Sequence, residues 1–143
     1  MAESTCIFCR IIAGEIPADI VHQNEDCVVF LDNSPLFHGH CLVCPRRHFD
    51  TLMDVPPAHL TPLFETAQRV ARAVEAGLGA EGSFVAINNK VSQSVPHLHV
   101  HVIPRRRKDG MKGFFWPRRP YASDAEMKEI AASVRTAMEN QAS

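Results

Sequence analysis

The stretch that decides the reading is His97-Leu98-His99-Val100-His101-Val102-Ile103. Apolar residues and imidazoles alternate along it. Alternation of period two belongs to a strand, where successive side chains leave opposite faces. Leu98, Val100 and Val102 therefore take the core face, and His97, His99 and His101 take the other. Neighbouring imidazoles then stand roughly 7 Å apart, at about 3.3 Å of rise per residue. Lysine, threonine or glutamate would solvate an exposed strand face equally well, so three successive imidazoles point to chemistry rather than to solvation. Near neutral pH an imidazole is both a nucleophile and a proton carrier. One ring can attack while its neighbour serves the leaving group. Phosphoryl and nucleotidyl transfer suit such a pair, because imidazolium and backbone N–H groups stabilise the spread negative charge of the transition state. Ser92-Gln93-Ser94-Val95-Pro96 brings hydroxyl and amide groups to the start of the strand. A metal held by all three histidines is the competing use, less well suited because no carboxylate lies among them.

Working outward, Phe84–Asn89 and His97–Pro104 read as two strands. Before them, Leu60, Leu63, Phe64, Ala67, Val70, Ala71, Val74 and Leu78 fall on one stripe of a long helix. Pro56 and Pro57 suit its first turn, Pro62 could delay it, and Gly77 and Gly79 close it. Ile20–His22 and Cys27–Leu31 form a hairpin around Asn24-Glu25-Asp26, and His40–Pro45 is a further strand. Cys6 to Ile12 has apolar residues at helical spacing and ends at Gly14 and Pro17. Near the C-terminus, Ser123 and Glu126 make a capping-box pair ahead of an amphipathic helix through Met127, Ile130, Ala131, Val134 and Met138. The expected class is α+β: an antiparallel sheet of about five strands, a long helix and a C-terminal helix. One domain over 1–143 is expected, with a core over about 6–104 and a basic, aromatic tail plus helix over 105–143.

Composition supports this. In 143 residues, 45% are apolar and 22% charged, with a net charge of −1. Such values exclude a disordered chain and a general nucleic-acid coat. Apolar runs are too short to span a membrane, and the N-terminus lacks the pattern of a secretory signal. The odd count of five cysteines suggests free or metal-bound thiols and a reducing, cytoplasmic setting. Cys6 and Cys9 form a C-x-x-C pair, as zinc sites use. Cys41 and Cys44 could supply the second half only if their strand broke, because i and i+3 point to opposite faces.

The histidine stretch matches the signature of the histidine triad (HIT) superfamily of nucleotide hydrolases and transferases. Cys6-Ile7-Phe8-Cys9-Arg10-Ile11-Ile12 with Gly14-Glu15-Ile16-Pro17 resembles the family's N-terminal segment. Phe30-Leu31-Asp32-Asn33-Ser34-Pro35, Gly39-His40 and Pro45-Arg46-Arg47-His48 resemble its central portion. The resemblance implies cleavage at the α-phosphate of purine-nucleotide conjugates, phosphoramidates or dinucleoside polyphosphates, through a nucleotidyl-histidine intermediate. His99 would be the nucleophile. His101 would bind phosphate and assist the leaving group, with Ser94 and Gln93 contacting both. Asp32 would hold the ribose hydroxyls, Phe8, Ile11 and Leu31 the base, and Asn88 the ribose–phosphate region. The family's loop between that Asn and the Gln-Ser pair often carries glycine. Here Asn88-Asn89-Lys90-Val91-Ser92 is shorter and has none, so Asn88 and Asn89 compete for the match.

The zinc-containing branch implies one structural zinc per chain on Cys6, Cys9, His48 and His97, pinning the N-terminus to the sheet. The alternative is two small buried thiols without metal. A homodimer is also implied by the resemblance. Seven basic residues and one acidic one lie between Arg105 and Arg119. They read as a solvated loop, as a funnel for polyphosphate, or, with Phe114-Phe115-Trp116, as a nucleic-acid surface. The aromatic run also reads as a packing anchor. A nucleotide-binding interaction protein with little turnover is the alternative function.

Overall fold

Residues 5–111 and 118–141 are described by the computed structural model. Five strands form one antiparallel sheet in the order β1-β2-β3-β5-β4. They are β1 (Ile20–Gln23), β2 (Cys27–Leu31), β3 (Cys41–Pro45), β4 (Gly82–Ala86) and β5 (Val100–Arg105). The helices are α1 (Ile7–Ile12), α2 (Pro57–Leu78) and α3 (Asp124–Glu139). The chain separates into two units, Met1–Asp109 and Gly110–Ser143. The first contains the sheet, α1 and α2; the second contains α3, capped by the Ser123 hydroxyl accepting from the Glu126 N–H. Among the described residues no helix is long and apolar enough to cross a membrane. Phe114-Phe115-Trp116 lies outside the described residues.

The central strands are buried on both faces, which is why β2 and β3 read as continuous apolar runs. Cys27, Val29, Cys41, Val43, Leu98, Val100 and Val102 pack with Leu63, Ala67, Val70 and Val74 of α2. The other face, Val28, Phe30, Leu42 and Cys44, packs with Cys6, Phe8 and Cys9 around α1. Cys41 and Cys44 thus lie on opposite faces, as their spacing demands, and do not share a site. In α2 the expected stripe is buried at its centre, while Phe64 and Leu78 at its margins are exposed. Pro62 sits inside the helix rather than delaying it. Gly79 ends it in the left-handed conformation at φ +67.

The strand expected from His97 begins only at Val100. The register explains the difference. β3 pairs with β5 as far as Val43↔Val100, and β3 ends at Pro45, which has no N–H to extend the ladder. Leu98 instead donates its N–H to the Phe49 carbonyl. His97 and His99 therefore lie in the segment leading into β5, free of the ladder and held by side-chain bonds.

Candidate active site and metal centre

The hydrogen bonds of His99, His97 and His48 determine which nitrogen of each ring is free. The His99 Nδ1–H donates to the His97 carbonyl at 2.7 Å. In a neutral ring this leaves an unprotonated Nε2. The His97 Nε2–H donates to the Pro45 carbonyl at 2.9 Å, leaving Nδ1 bare. His48 donates its Nε2–H to Asp50 Oδ1 at 2.8 Å, again leaving Nδ1 bare. Burial lowers the pKa of all three triad rings. His97 and His101 are pushed to about 4, and His99 is lowered as well. Each is neutral at pH 7.

His99 and His101 line one cleft of about 520 Å³, their ring centroids 4.8 Å apart. This volume lies within the usual range for small-molecule sites. Phe8, Ile11 and Leu31 form apolar wall, and Asp32 and Ser94 complete the set brought together there. Phe8 packs edge-on against His99 at 5.0 Å and against Phe30 at 5.2 Å. His97, expected as a metal ligand, does not line the cleft. Two residues expected at this site are elsewhere. Asn88 is exposed and does not line it. Gln93 is consumed locally: its Oε1 accepts from the Lys90 N–H and its Nε2 donates to the Asp50 carbonyl. Asn89 is likewise structural, accepting from the Leu52 N–H. The arginines that open the basic tail also turn away from the cleft. Arg105 pairs with Asp109, Arg107 with Glu81, and Arg106 donates to the Leu78 carbonyl. None of them lines the cleft as a funnel would.

His97 points into a second cluster. Its Nδ1 lies 3.5 Å from the sulfurs of both Cys6 and Cys9, and His48 Nδ1 lies 3.3 Å from Cys9 Sγ. A tetrahedral zinc with ordinary Zn–S and Zn–N bonds separates sulfur from nitrogen by about 3.5 Å. The spacing fits such an ion, and both imidazoles present bare nitrogens to it while their other nitrogens are anchored. Cys6 Sγ, at the N-cap of α1, also accepts from the Cys9 N–H, which fixes the sulfur facing His97. Cys44 is fully buried nearby. Burial first, and the neighbouring thiols second, hold its thiol well above the ordinary range, so it stays protonated.

Residues 13–108 match the HIT domain family model. The chain belongs to the HIT family. Relatives include "Adenylylsulfatase HINT3" of Arabidopsis thaliana, 32% identical over 75% of this chain and 55% of its own length. "Adenosine 5'-monophosphoramidase HNT1" of Saccharomyces cerevisiae is 34% identical over 80% of this chain and 72% of its own. "Bis(5'-nucleosyl)-tetraphosphatase [asymmetrical]" of Schizosaccharomyces pombe is 33% identical over 66% and 53%. The chain thus spans only about half the length of the first and third. A HIT-family crystal structure from Bacillus subtilis matches with a TM-score of 0.83 and 32% identity, over 98% of this chain and 99% of that one. A zinc-bound histidine triad protein from Mycobacterium smegmatis matches at 0.72 and 34%, over 93% and 97%. The five-stranded α+β architecture is the one these HIT structures share.

His40, which the sequence matches with Gly39 to the family's central portion without a role, stands directly behind His101. It is 3% exposed, and its Nε2 lies 2.9 Å from His101 Nδ1 and 3.7 Å from Asp32 Oδ2. Burial lowers its pKa. Its neighbour Gly39 is at φ +98, where a side chain would also overlap Leu78.

These lowered values predict a pH dependence of stability. Between pH 6.5 and 4 the unfolded chain takes up protons that the folded rings refuse, so stability is full above 6.5 and falls as pH drops towards 4. His101, part-exposed and shifted from 6.5 to about 4, contributes on the order of 2 kcal/mol to that loss. His99 and His40 act in the same direction. Denaturant unfolding at pH 7 and at pH 4.5 measures it, and equal stabilities would contradict it.

Proposed function

We propose that this chain is a nucleotide hydrolase or transferase that cleaves purine-nucleotide conjugates at the α-phosphate by way of a nucleotidyl-His99 intermediate. The observation that carries the reading is the pairing of a bare His99 Nε2 with His101 in one nucleotide-sized cleft. The names of the relatives, a phosphoramidase, an adenylylsulfatase and a dinucleoside tetraphosphatase, support the substrate class. His99 Nε2 bonds to phosphorus as the bond to the leaving group breaks. Water then breaks the P–N bond, releases the nucleoside monophosphate and restores His99. The Nδ1–H bond to the His97 carbonyl strengthens as the ring gains positive charge, so it orients and stabilises the attacking imidazole. His101 and Ser94 contact the phosphate and leaving atom. Asp32 accepts from the ribose hydroxyls, and Phe8, Ile11 and Leu31 enclose the base.

Cys6, Cys9, His48 and His97 are the proposed ligands of one structural zinc per chain. When bound, the ion cross-links α1 to the segment that leads into β5. The family resemblance implies a homodimer as the assembled form. A different outcome, binding without turnover, is the alternative the complete cleft must be tested against. A panel of adenosine phosphoramidate, adenylated lysine and diadenosine polyphosphates of several lengths, quenched and examined by mass spectrometry, tests the reading. Turnover of one class with a nucleotidyl mass on His99 is expected. Binding across the panel with neither turnover nor adduct would favour the interaction protein.

A further inference from the structure

We propose that the backbone N–H of Leu36 is a positioning group: it fixes the tautomer of His40 and, through His40, the nitrogen on which His101 carries its proton. The Leu36 N–H donates to His40 Nδ1 at 3.2 Å. An N–H accepts nothing, so His40 Nδ1 is bare and the ring's single proton sits on Nε2. That Nε2–H has two acceptors in view. His101 Nδ1 at 2.9 Å is within hydrogen-bond range, and Asp32 Oδ2 at 3.7 Å is beyond it. The proton therefore goes to His101 Nδ1, which must be bare in turn, and His101 carries its own proton on Nε2. This is the nitrogen left to donate to a ligand in the cleft that His101 lines. Burial lowers the pKa of both rings, which keeps each at one proton.

The opposite arrangement shows what the amide decides. With His40 protonated on Nδ1, two donors face each other at Leu36, and the His101 proton turns away from the cleft towards His40. The surrounding loop is built to hold the amide in place. The Asp32 N–H bonds the His40 carbonyl at 2.9 Å, closing the loop, and Asp32 Oδ1 accepts from the Ser34 N–H. The His40 N–H bonds the Phe37 carbonyl. Leu36 is 53% exposed, and its bond to His40 is made by the backbone. The same tautomer bears on a second feature. Asp32, His40 and His101 bring ligand atoms within 4.8 Å of one another, as a metal site would. The His40 proton occupies the place where a metal-ligating lone pair would be, so the three side chains form a hydrogen-bonded cluster rather than a cation site.

The test uses zinc-loaded protein labelled with ¹⁵N-histidine. Without substrate, NMR is expected to find Nδ1 bare and Nε2 protonated in both His40 and His101. Replacing Leu36 by its α-hydroxy acid turns the amide into an ester, removing the N–H while keeping the side chain. Mixed tautomers in both rings are then expected, with a fall of about tenfold in kcat and little change in KM. Leu36→Ala retains the N–H and is expected to retain both tautomers. A parent with His40 protonated on Nδ1, or an ester whose rings match the parent's, overturns the lock. The kinetic arm rests on the function proposed above. A parent that turns over no nucleotide conjugate overturns that function and the catalytic part of this inference, while the NMR arm still decides the tautomers.

Discussion

His99→Asn is expected to lower turnover of nucleotide conjugates by at least about 10,000-fold while leaving the protein folded. The size follows from what is removed. In the parent ring Nδ1–H is committed to the His97 carbonyl, so attack rests on Nε2 alone. An asparagine amide can place an N–H near the position of Nδ1 and keep the bond to that carbonyl, but has no atom where Nε2 lies. His99→Ala removes both the nucleophile and a buried ring that Phe8 meets edge-on at 5.0 Å. It is expected to lose about 1–3 kcal/mol of stability in addition. Steady-state kinetics with calorimetry on both variants separates chemistry from packing. Turnover by His99→Asn within tenfold of the parent would show that another group attacks phosphorus.

The parts of this site legible in sequence are those set by local spacing. Leu98, Val100 and Val102 had to share a face, and the structure buries all three against α2. The Cys6/Cys9 spacing on one helix turn, together with the family resemblance, named the four residues that converge. What was not legible depends on partners distant in the chain. The strand starts at Val100 rather than His97 because Pro45, on another strand, ends the ladder. His40 gains its importance from His101, 61 residues away, and from a backbone amide that no side-chain pattern records. Gln93 has the right type and position for a phosphate contact, yet both ends of its amide are taken by the loop it braces. The charge of Arg105–Arg107 was plain, but its direction was set by Asp109, Glu81 and the end of α2.

Serine at both Cys6 and Cys9 is expected to abolish a zinc content of near one per chain and to lower the melting temperature by more than about 10 °C. An ion bound only to the folded state adds about 4 kcal/mol when present at a thousandfold over its dissociation constant. The proposed ion would support the local structure for a further reason. α1 has only six residues, too few to persist without tertiary support. Its anchors are Phe8, packed on Phe30 and His99, and the sulfurs set against His48 and His97. Phe8 and Ile11 are also cleft wall, and the His97 carbonyl orients His99. Loss of the proposed ion should therefore raise KM through the apolar wall and lower kcat through His99, although none of the four proposed ligands lines the cleft. Elemental analysis of protein purified without added metal, followed by calorimetry and kinetics of the double variant, checks each part. Metal-free parent protein with an unchanged melting temperature would mean that the four side chains pack as two thiols and two imidazoles and that α1 is held by Phe8 alone.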